Sequence, residues 1–360
     1  HQLGKALAEL TPEEQGGLSL AALTALDGDS PTGSLRWPGS AQPLFDHSHE
    51  MAWLTARRTR LVRTLRRLRP TLFHAPYHLG TPRGSFVPRV VTCLDVVRLV
   101  LHDEYLPGRW AYRRLLHLAE ALRFHSATRV MTISQHTADD IMRLLGVPAS
   151  KIDVTLLGVD LERYRVPEPG SSNAALTRYD LHERSYFIYV GAADSRKNVD
   201  VMIRAFAQAK LTDHELVIAG KLRSSDERAY GAAMDAAGQP KNVRFLGFVA
   251  DDDLPALLAA SLGMVFCSTY EGFGLTPLEA MACGCPVIHT GLTSMGETIG
   301  DAGVKVPARD VAATADAIRQ LATDNALQRQ LRTAGPQCTA RFTWKNTALA
   351  TVASYQRALG

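Results

Sequence analysis

Residues 263–288 read "GMVFCSTYEGFGLTPLEAMACGCPVI". An apolar run ending near Ser268 gives way to "TYEGFG", a helical pattern follows from Leu275, and a second apolar run, "PVIHT", closes the stretch at 286–290. Strand, loop, helix and strand in that order are the unit of a parallel sheet. Gly272 and Gly274 remove side chains from the loop. The amides of Gly274, Leu275 and Thr276 are therefore predicted to be free donors at the positive end of a helix, a natural seat for phosphate. Pro277 fits the first turn, where no amide donor is needed. Glu271 stands at the loop mouth and Glu279 one turn into the helix. A carboxylate beside a phosphate seat is unfavourable unless it binds something else, and sugar hydroxyls are suitable donors. The spacing points to a sugar at Glu271, a ribose at Glu279 and a diphosphate between them. The plain alternative is a glycine-rich turn followed by an acid near a helix start.

The same alternation extends outward. Strand-like "YFIYVG" (186–191), "ELVIAG" (215–220) and "VRFLGF" (243–248) alternate with helical "VDVMIRAFAQA" (199–209), "SSDERAYGAAMDAAG" (224–238) and "DDLPALLAAS" (252–261). In the first half, "TLFHAP", "RVVTCLD" and "TRVMTIS" read as buried strands and "KIDVTLLGVD" (151–160) as another. Ser134 is placed to cap the helix "QHTADDIMRLLG", which ends at Gly146 ahead of Pro148. A chain of 360 residues exceeds what one core usually serves. The fold class expected is α/β, two doubly wound Rossmann-like domains facing a cleft, with ligands at strand C-terminal ends. The stretch 166–185, rich in proline, glycine and serine, breaks the pattern, and the linker is placed near its start. The domains are then 1–165 and 166–342, with a helix over 343–360 that packs back on the first. "HQLGKALAEL" reads as a helix from its first residue with no strand ahead of it, so residues carrying a first strand are expected before His1.

A second loop resembles the first in kind. "YVGAADSRKNVD" runs from a strand through Gly191 into a helix, with Arg196 and Lys197 at the helix entry. Two cations at another strand C-terminus would neutralise the charge that grows on a diphosphate leaving group. Alone, the loop also reads as a solvated turn; two such loops in one strand–helix series are the stronger signal. Nicotinamide-type GxGxxG spacing, Walker A, GxSxG and HExxH patterns do not occur.

Composition removes other classes. Hydrophobic residues at 46% and charged residues at 21% are ordinary for a globular protein, and no apolar run approaches the roughly 20 residues of a membrane span. Five scattered cysteines, Cys93, Cys267, Cys283, Cys285 and Cys338, lack paired CxxC spacing, which argues against a disulfide framework or structural zinc and fits a reducing cytoplasm. The net charge of +4 is uneven: residues 1–165 hold 21 basic and 16 acidic side chains, the remainder 19 and 20. "ARRTRLVRTLRRLRP" carries seven arginines between Arg57 and Arg69 and no acid, with Leu61, Leu65 and Leu68 on one helical face. It reads as a solvated amphipathic helix, or as a contact with a membrane surface or anionic acceptor.

At this point the residues resemble a known family. "EGFGLTPLEAMACGCPVI" is similar to the E-x7-E signature of the retaining glycosyltransferases of family 4, whose fold is the two-domain GT-B. "VGAADSRKN" resembles their donor-phosphate loop in its mannosyltransferase-like form. "TISQHTADDIMRLLGVPASKIDVTLLGVD" resembles the end of their N-terminal domain and "NVRFLGFVADDDLPALLAAS" the segment beside the nucleotide base. The resemblance implies Arg196, Lys197 and Glu271 as catalytic, with the two cations on the donor diphosphate and Glu271 on the sugar. It implies donor contacts from Phe273, Gly274, Leu275 and Thr276, mainly through backbone amides, from Glu279 on the ribose, and from Gly191, Lys221 and Phe248. Three departures stand out: "VVTCLDVV" has Leu94 where many relatives have a histidine before Asp95, the relatives' first glycine-rich loop would precede His1, and Ala192 replaces a polar residue. His74, His78 and Asp95 are the acceptor-side candidates. The resemblance implies no metal and no cofactor beyond the donor itself. GDP-mannose is favoured and a UDP-sugar is the other possibility. The expected partners are a nucleotide sugar, a glycan or lipid-linked acceptor and a membrane through Arg57–Arg69, not nucleic acid, and the expected place is the cytoplasm or the inner membrane face. The competing readings are a non-catalytic sugar-nucleotide-binding protein and a GT-B epimerase or phosphorylase.

Overall fold

The computed structural model of the chain describes residues 2–18, 23–24, 42–43, 65–67, 69–77, 87–168, 170–192, 194–220 and 224–360. Two compact units divide it. The first comprises residues 1–158 and 344–360, the second 159–343.

The first unit is built on four parallel strands in sequence order, β1 (Phe73–Ala75), β2 (Arg89–Cys93), β3 (Arg129–Thr132) and β4 (Ile152–Val154). Every residue of β2 is buried, as a strand covered on both faces requires. Val91, Cys93 and Val130 pack with Phe124 of α2 (Trp110–His125) and Ile141 of α3 (Gln135–Leu145). α3 begins where Ser134 Oγ accepts the amide of Thr137 and ends at left-handed Gly146. α1 (Gln2–Glu9) packs Ala6 and Leu7, with Leu10 beyond it, on Ala348 and Val352 of the last helix, α10 (Trp344–Leu359). Tyr355 and Ala358 of α10 meet Val90 and Met131. The C-terminal helix is therefore part of this unit's core. The strand expected over 151–160 is shorter: pairing stops at Val154, and Val159 instead forms a parallel bridge with Thr343.

The division between the units falls at Gly158/Val159, ahead of the expected 165/166. The amide of Val159 donates to Phe342 O, which ties 159 into the second unit. The stretch 166–185 is not purely linker either. It carries a short helix, Asn173–Arg178, that buries Ala175 and Leu176, with Leu181 buried after it.

The second unit is a six-stranded parallel sheet of β5 (Tyr186–Val190), β6 (Glu215–Ala219), β7 (Val243–Gly247), β8 (Gly263–Phe266), β9 (Val287–His289) and β10 (Val304–Lys305), ordered β10-β9-β8-β5-β6-β7. Counted within the unit this is 3-2-1-4-5-6, the doubly wound order, whose direction reverses between β5 and β8. The crossovers include α4 (Val199–Ala209), α5 (Ser224–Ala236), α6 (Leu254–Ala260) and α7 (Leu275–Ala282), with α8 (Val311–Thr323) and α9 (Asn325–Thr339) after β10. Met264 of β8 pairs with Ile188 of β5 at the reversal. The loops leaving these two strands are the ones that hold Arg196 and Lys197, and Glu271.

Candidate active site

β5 ends at Val190, and the chain crosses Gly191 into a tight turn, Ser195–Lys197. Asp194 caps that turn: its Oδ1 accepts the Arg196 amide, and its Oδ2 lies 3.5 Å from Arg196 Nε. Asn198 follows in the left-handed conformation at φ 51°, which Asn tolerates better than most residues. Its buried Nδ2 donates to Cys267 O at 2.8 Å and to Arg196 O at 3.2 Å. Thr269 donates its amide to Arg196 O at 2.8 Å. The two loops are thus stitched together through backbone groups before any charge is considered.

Three charges then meet. Arg196 Nη1 lies 2.9 Å from Glu271 Oε1 and donates to Tyr270 O at 2.6 Å. Lys197 Nζ is ion-paired to the same Glu271 oxygen and sits 4.7 Å from the centroid of the Phe266 ring. Burial pulls the Lys197 ammonium below the ordinary lysine value, while Glu271 resists that shift. One carboxylate oxygen therefore holds two cations in a largely dry place, and Asp194 beside Arg196 balances the charge of the cluster.

Glu271 is held from a third direction, which its own loop does not reveal. Its amide donates to Thr293 Oγ1 at 3.0 Å, and its carbonyl accepts from Ser294 Oγ at 2.9 Å. Thr293 has φ 54° and ψ −136°, an outlier for a β-branched residue that costs on the order of 1–3 kcal/mol. Thr290 Oγ1 donates to Ser268 O in the same layer.

Beyond Glu271 the chain reaches Gly274 at φ 84°, the N-cap of α7, where no side chain caps the helix. A Cβ there would stand 3.4 Å from Met295 Cγ. Leu275 and Thr276 are half-buried in the first turn. Phe273 is buried, its ring edge-on to Phe342 at 5.7 Å between centroids, so only its backbone can serve a ligand. Glu279 lies one turn on. Burial pushes its carboxyl up to about 7; Arg163 opposes this, and Asp160 and Asp251 add to it. Phe248, after β7, is 70% exposed.

Of the expected site residues, Arg196, Lys197 and Glu271 form one cluster, and Gly274, Leu275, Thr276 and Glu279 share the helix that follows. Lys221 and His78 lie outside the described residues, as do 57–64 and Leu68 of the arginine-rich segment. Of that segment, Leu65 is buried and Arg66 and Arg67 are exposed. In the first unit, both ring nitrogens of His74 are engaged, Nδ1 with Tyr355 OH and Nε2 with Thr92 Oγ1, each at 2.7 Å. Asp95 Oδ1 accepts the Val97 amide at 3.1 Å, a turn-capping bond. Asp194, Asn198, Thr293 and Ser294 are the residues that sequence reasoning missed. "RKN" offered a cue for Asn198; nothing local pointed to Thr293. Cys283 and Cys285 are both buried, with Cys285 Sγ 3.1 Å from Ser261 Oγ.

Comparison with known proteins agrees in both halves. Residues 179–337 match the family model described as glycosyl transferases group 1, and residues 22–163 match that of Glycosyltransferase Family 4. An O-antigen chain mannosyltransferase B from Escherichia coli is 29% identical over 313 residues, 86% of this chain and 78% of that protein. A glycogen synthase from Mycobacterium tuberculosis is 29% identical over 332 residues, covering 85% and 75%. Among solved structures, a sucrose-phosphate synthase from Thermosynechococcus elongatus superposes with a TM-score of 0.77 at 22% identity, covering 99% of this chain and 91% of that one. At that identity the likeness is one of fold.

Proposed function

The chain belongs to the glycosyltransferases of group 1 and family 4, and from that premise we propose that it moves a hexose from a nucleotide diphosphate sugar to a glycan or lipid-linked acceptor. The observation that carries the reading is the meeting of Arg196 and Lys197 on Glu271 at the sheet's reversal point. The diphosphate takes the two cations and the first-turn amides of α7, Glu271 turns to the sugar hydroxyls, and Glu279 accepts from the ribose. In the transfer step the bond from the sugar's anomeric carbon to the phosphate oxygen breaks. A new bond to the acceptor oxygen forms on the same face, and the acceptor's proton passes to the departing phosphate. Configuration is retained without an enzyme nucleophile. Charge on the leaving group is met by Arg196, Lys197 and a helix terminus, so this scheme assigns no role to a metal.

The donor favoured is GDP-mannose, of which the mannosyltransferase relative supports the mannose. The glycogen synthase relative supports the second reading, a glucose donor. No helix among the described residues is long and apolar enough to cross a membrane; the place of work proposed is the cytoplasm or the inner membrane face. The test is a transfer assay with each nucleotide sugar against a panel of glycan acceptors. Sugar transfer by the parent that falls about 100-fold or more in Glu271→Ala and Lys197→Ala is expected. Unchanged turnover in both variants would remove these residues from the mechanism. Nucleotide binding with no transfer to any acceptor would favour a binding protein, and conversion of the free nucleotide sugar without acceptor an epimerase.

A further inference from the structure

Beside the two loops of the site lies a hydroxyl that the transfer scheme does not use. Tyr189, in β5, is fully buried, and a buried tyrosine hydroxyl needs a partner. It finds one three residues on, where Tyr189 Oη donates to Ala192 O at 3.0 Å. Ala192 brings no polar side chain of its own, so the loop is held here through its backbone. Between the two, Gly191 has φ 152°, and a Cβ there would stand 2.7 Å from Tyr189 Oη. The missing side chain is what lets the chain fold over the hydroxyl. The Tyr189 ring stacks on Phe266 of β8, with 6.2 Å between centroids and 30° between planes, and Lys197 Nζ stands 4.7 Å from the Phe266 centroid. One side chain therefore touches the start of the donor loop with its oxygen and, through Phe266, supports the ammonium near its end. Burial pushes ionisation of the phenol up; Tyr230 and Glu271 add to this and Arg196 opposes it, so both charged groups of the site lie within electrostatic reach.

Holding the loop and holding the fold are separable here. Tyr189→Phe keeps the ring and leaves no buried polar atom unpaired, because Ala192 is exposed and its carbonyl can turn to water. What is lost is the fixed distance between β5 and the first residues of the loop. Arg196 and Lys197 must meet one oxygen of Glu271 from a turn just beyond Ala192. A misplacement of about 1 Å in such groups is felt strongly in a rate. We propose that Tyr189 is a positioning residue for the transfer reaction: its hydroxyl on Ala192 O and its ring on Phe266 set where Arg196 and Lys197 stand against the donor diphosphate. The inference rests on the transferase reading given above.

The test compares the full chain with Tyr189→Phe by hydrogen exchange of the peptide that carries the Ser195–Lys197 turn, by binding of GDP, UDP and ADP, and by steady-state transfer. The melting temperature of the variant should fall by only about 2–4 °C. Exchange at the turn should quicken about tenfold. The dissociation constant of the nucleotide that binds the parent should rise about fivefold, and kcat/KM for the donor should fall about tenfold with KM for the acceptor unchanged. Parent-like exchange and parent-like nucleotide affinity in the variant would overturn the proposal. A lower melting temperature with those two unchanged would make Tyr189 a packing residue and overturn it equally. A parent that binds no nucleotide would remove the transferase reading and the proposal with it, whereas a parent and variant that bind equally well would remove the proposal alone.

Discussion

Thr293 Oγ1 accepts the amide of Glu271 at 3.0 Å, and it does so from a backbone at φ 54°. A β-branched residue in that conformation is strained, and the strain falls on the residue that fixes the backbone of the central carboxylate. Thr293→Ser keeps the hydroxyl and is expected to retain turnover. Thr293→Ala removes an acceptor from the Glu271 amide, at a cost of about 1 kcal/mol in stability. Its turnover should fall roughly tenfold, because a small misplacement of a positioning group is felt in the rate. Steady-state kinetics on the two variants, beside a thermal melt, check this. Equal rates for Ser and Ala would mean that the hydroxyl does not position Glu271.

Gly220 closes on the loop that leads to Arg196. A Cβ at this position would stand 2.2 Å from Gly191 O, which is backbone and cannot swing aside. Gly220→Ala is therefore expected to displace the start of the donor loop, with a loss of roughly 2–3 kcal/mol in denaturant titration and weaker nucleotide binding. A variant as stable as the parent would show that the loop gives way freely.

The Glu279 carboxyl, pushed up to about 7 by burial, makes folding favour its neutral form. Its contribution is full below the unfolded value near 4.5 and is lost as pH rises through about 7. Two buried histidines oppose this slope over the same range, so the effect is read as a difference. The parent should lose stability relative to Glu279→Gln, neutral throughout, as pH rises from about 4.5 to about 7. A parallel pH profile for parent and variant would contradict the assignment.

Histidine gives the opposite slope. Burial lowers His289 to about 4, and His74 to about 4 between Thr92 and Tyr355. Both rings are neutral when folded and charge more readily when unfolded, so stability is lost as pH falls from about 6.5 through 4. Thermal melts at pH 7 and pH 5 should show the loss, and His74→Gln should reduce it. An unchanged acid limb in that variant would assign the effect to other groups.

How far the sequence could be read follows the range of the interactions. The alternation of strands and helices, the cap at Ser134 and the loops at Arg196 and Glu271 are local patterns, and the sheet order brings those loops to neighbouring strands. The support for Glu271 from Thr293 spans 22 positions and another strand, and nothing in "GLTS" announces it. Val159 belongs to the second unit because of a bridge to Thr343, so composition alone set the boundary too late. The outward leucines of α2, Leu115, Leu118 and Leu122, follow the same helical period as a core stripe. Phe124 and the buried Glu120–Arg123 pair together mark the side that faces in.

The most direct measurement is a thermal-shift titration of the purified chain with GDP, UDP, ADP and their common sugar conjugates, repeated on Lys197→Ala. A ligand that binds the folded state alone raises stability by about 2.7 kcal/mol at a hundred times its dissociation constant. The expected result is a clear rise with one nucleotide family, greater for the sugar conjugate, and largely lost in the variant. No rise with any nucleotide, or a rise that Lys197→Ala leaves intact, would contradict a diphosphate site at Arg196, Lys197 and Glu271.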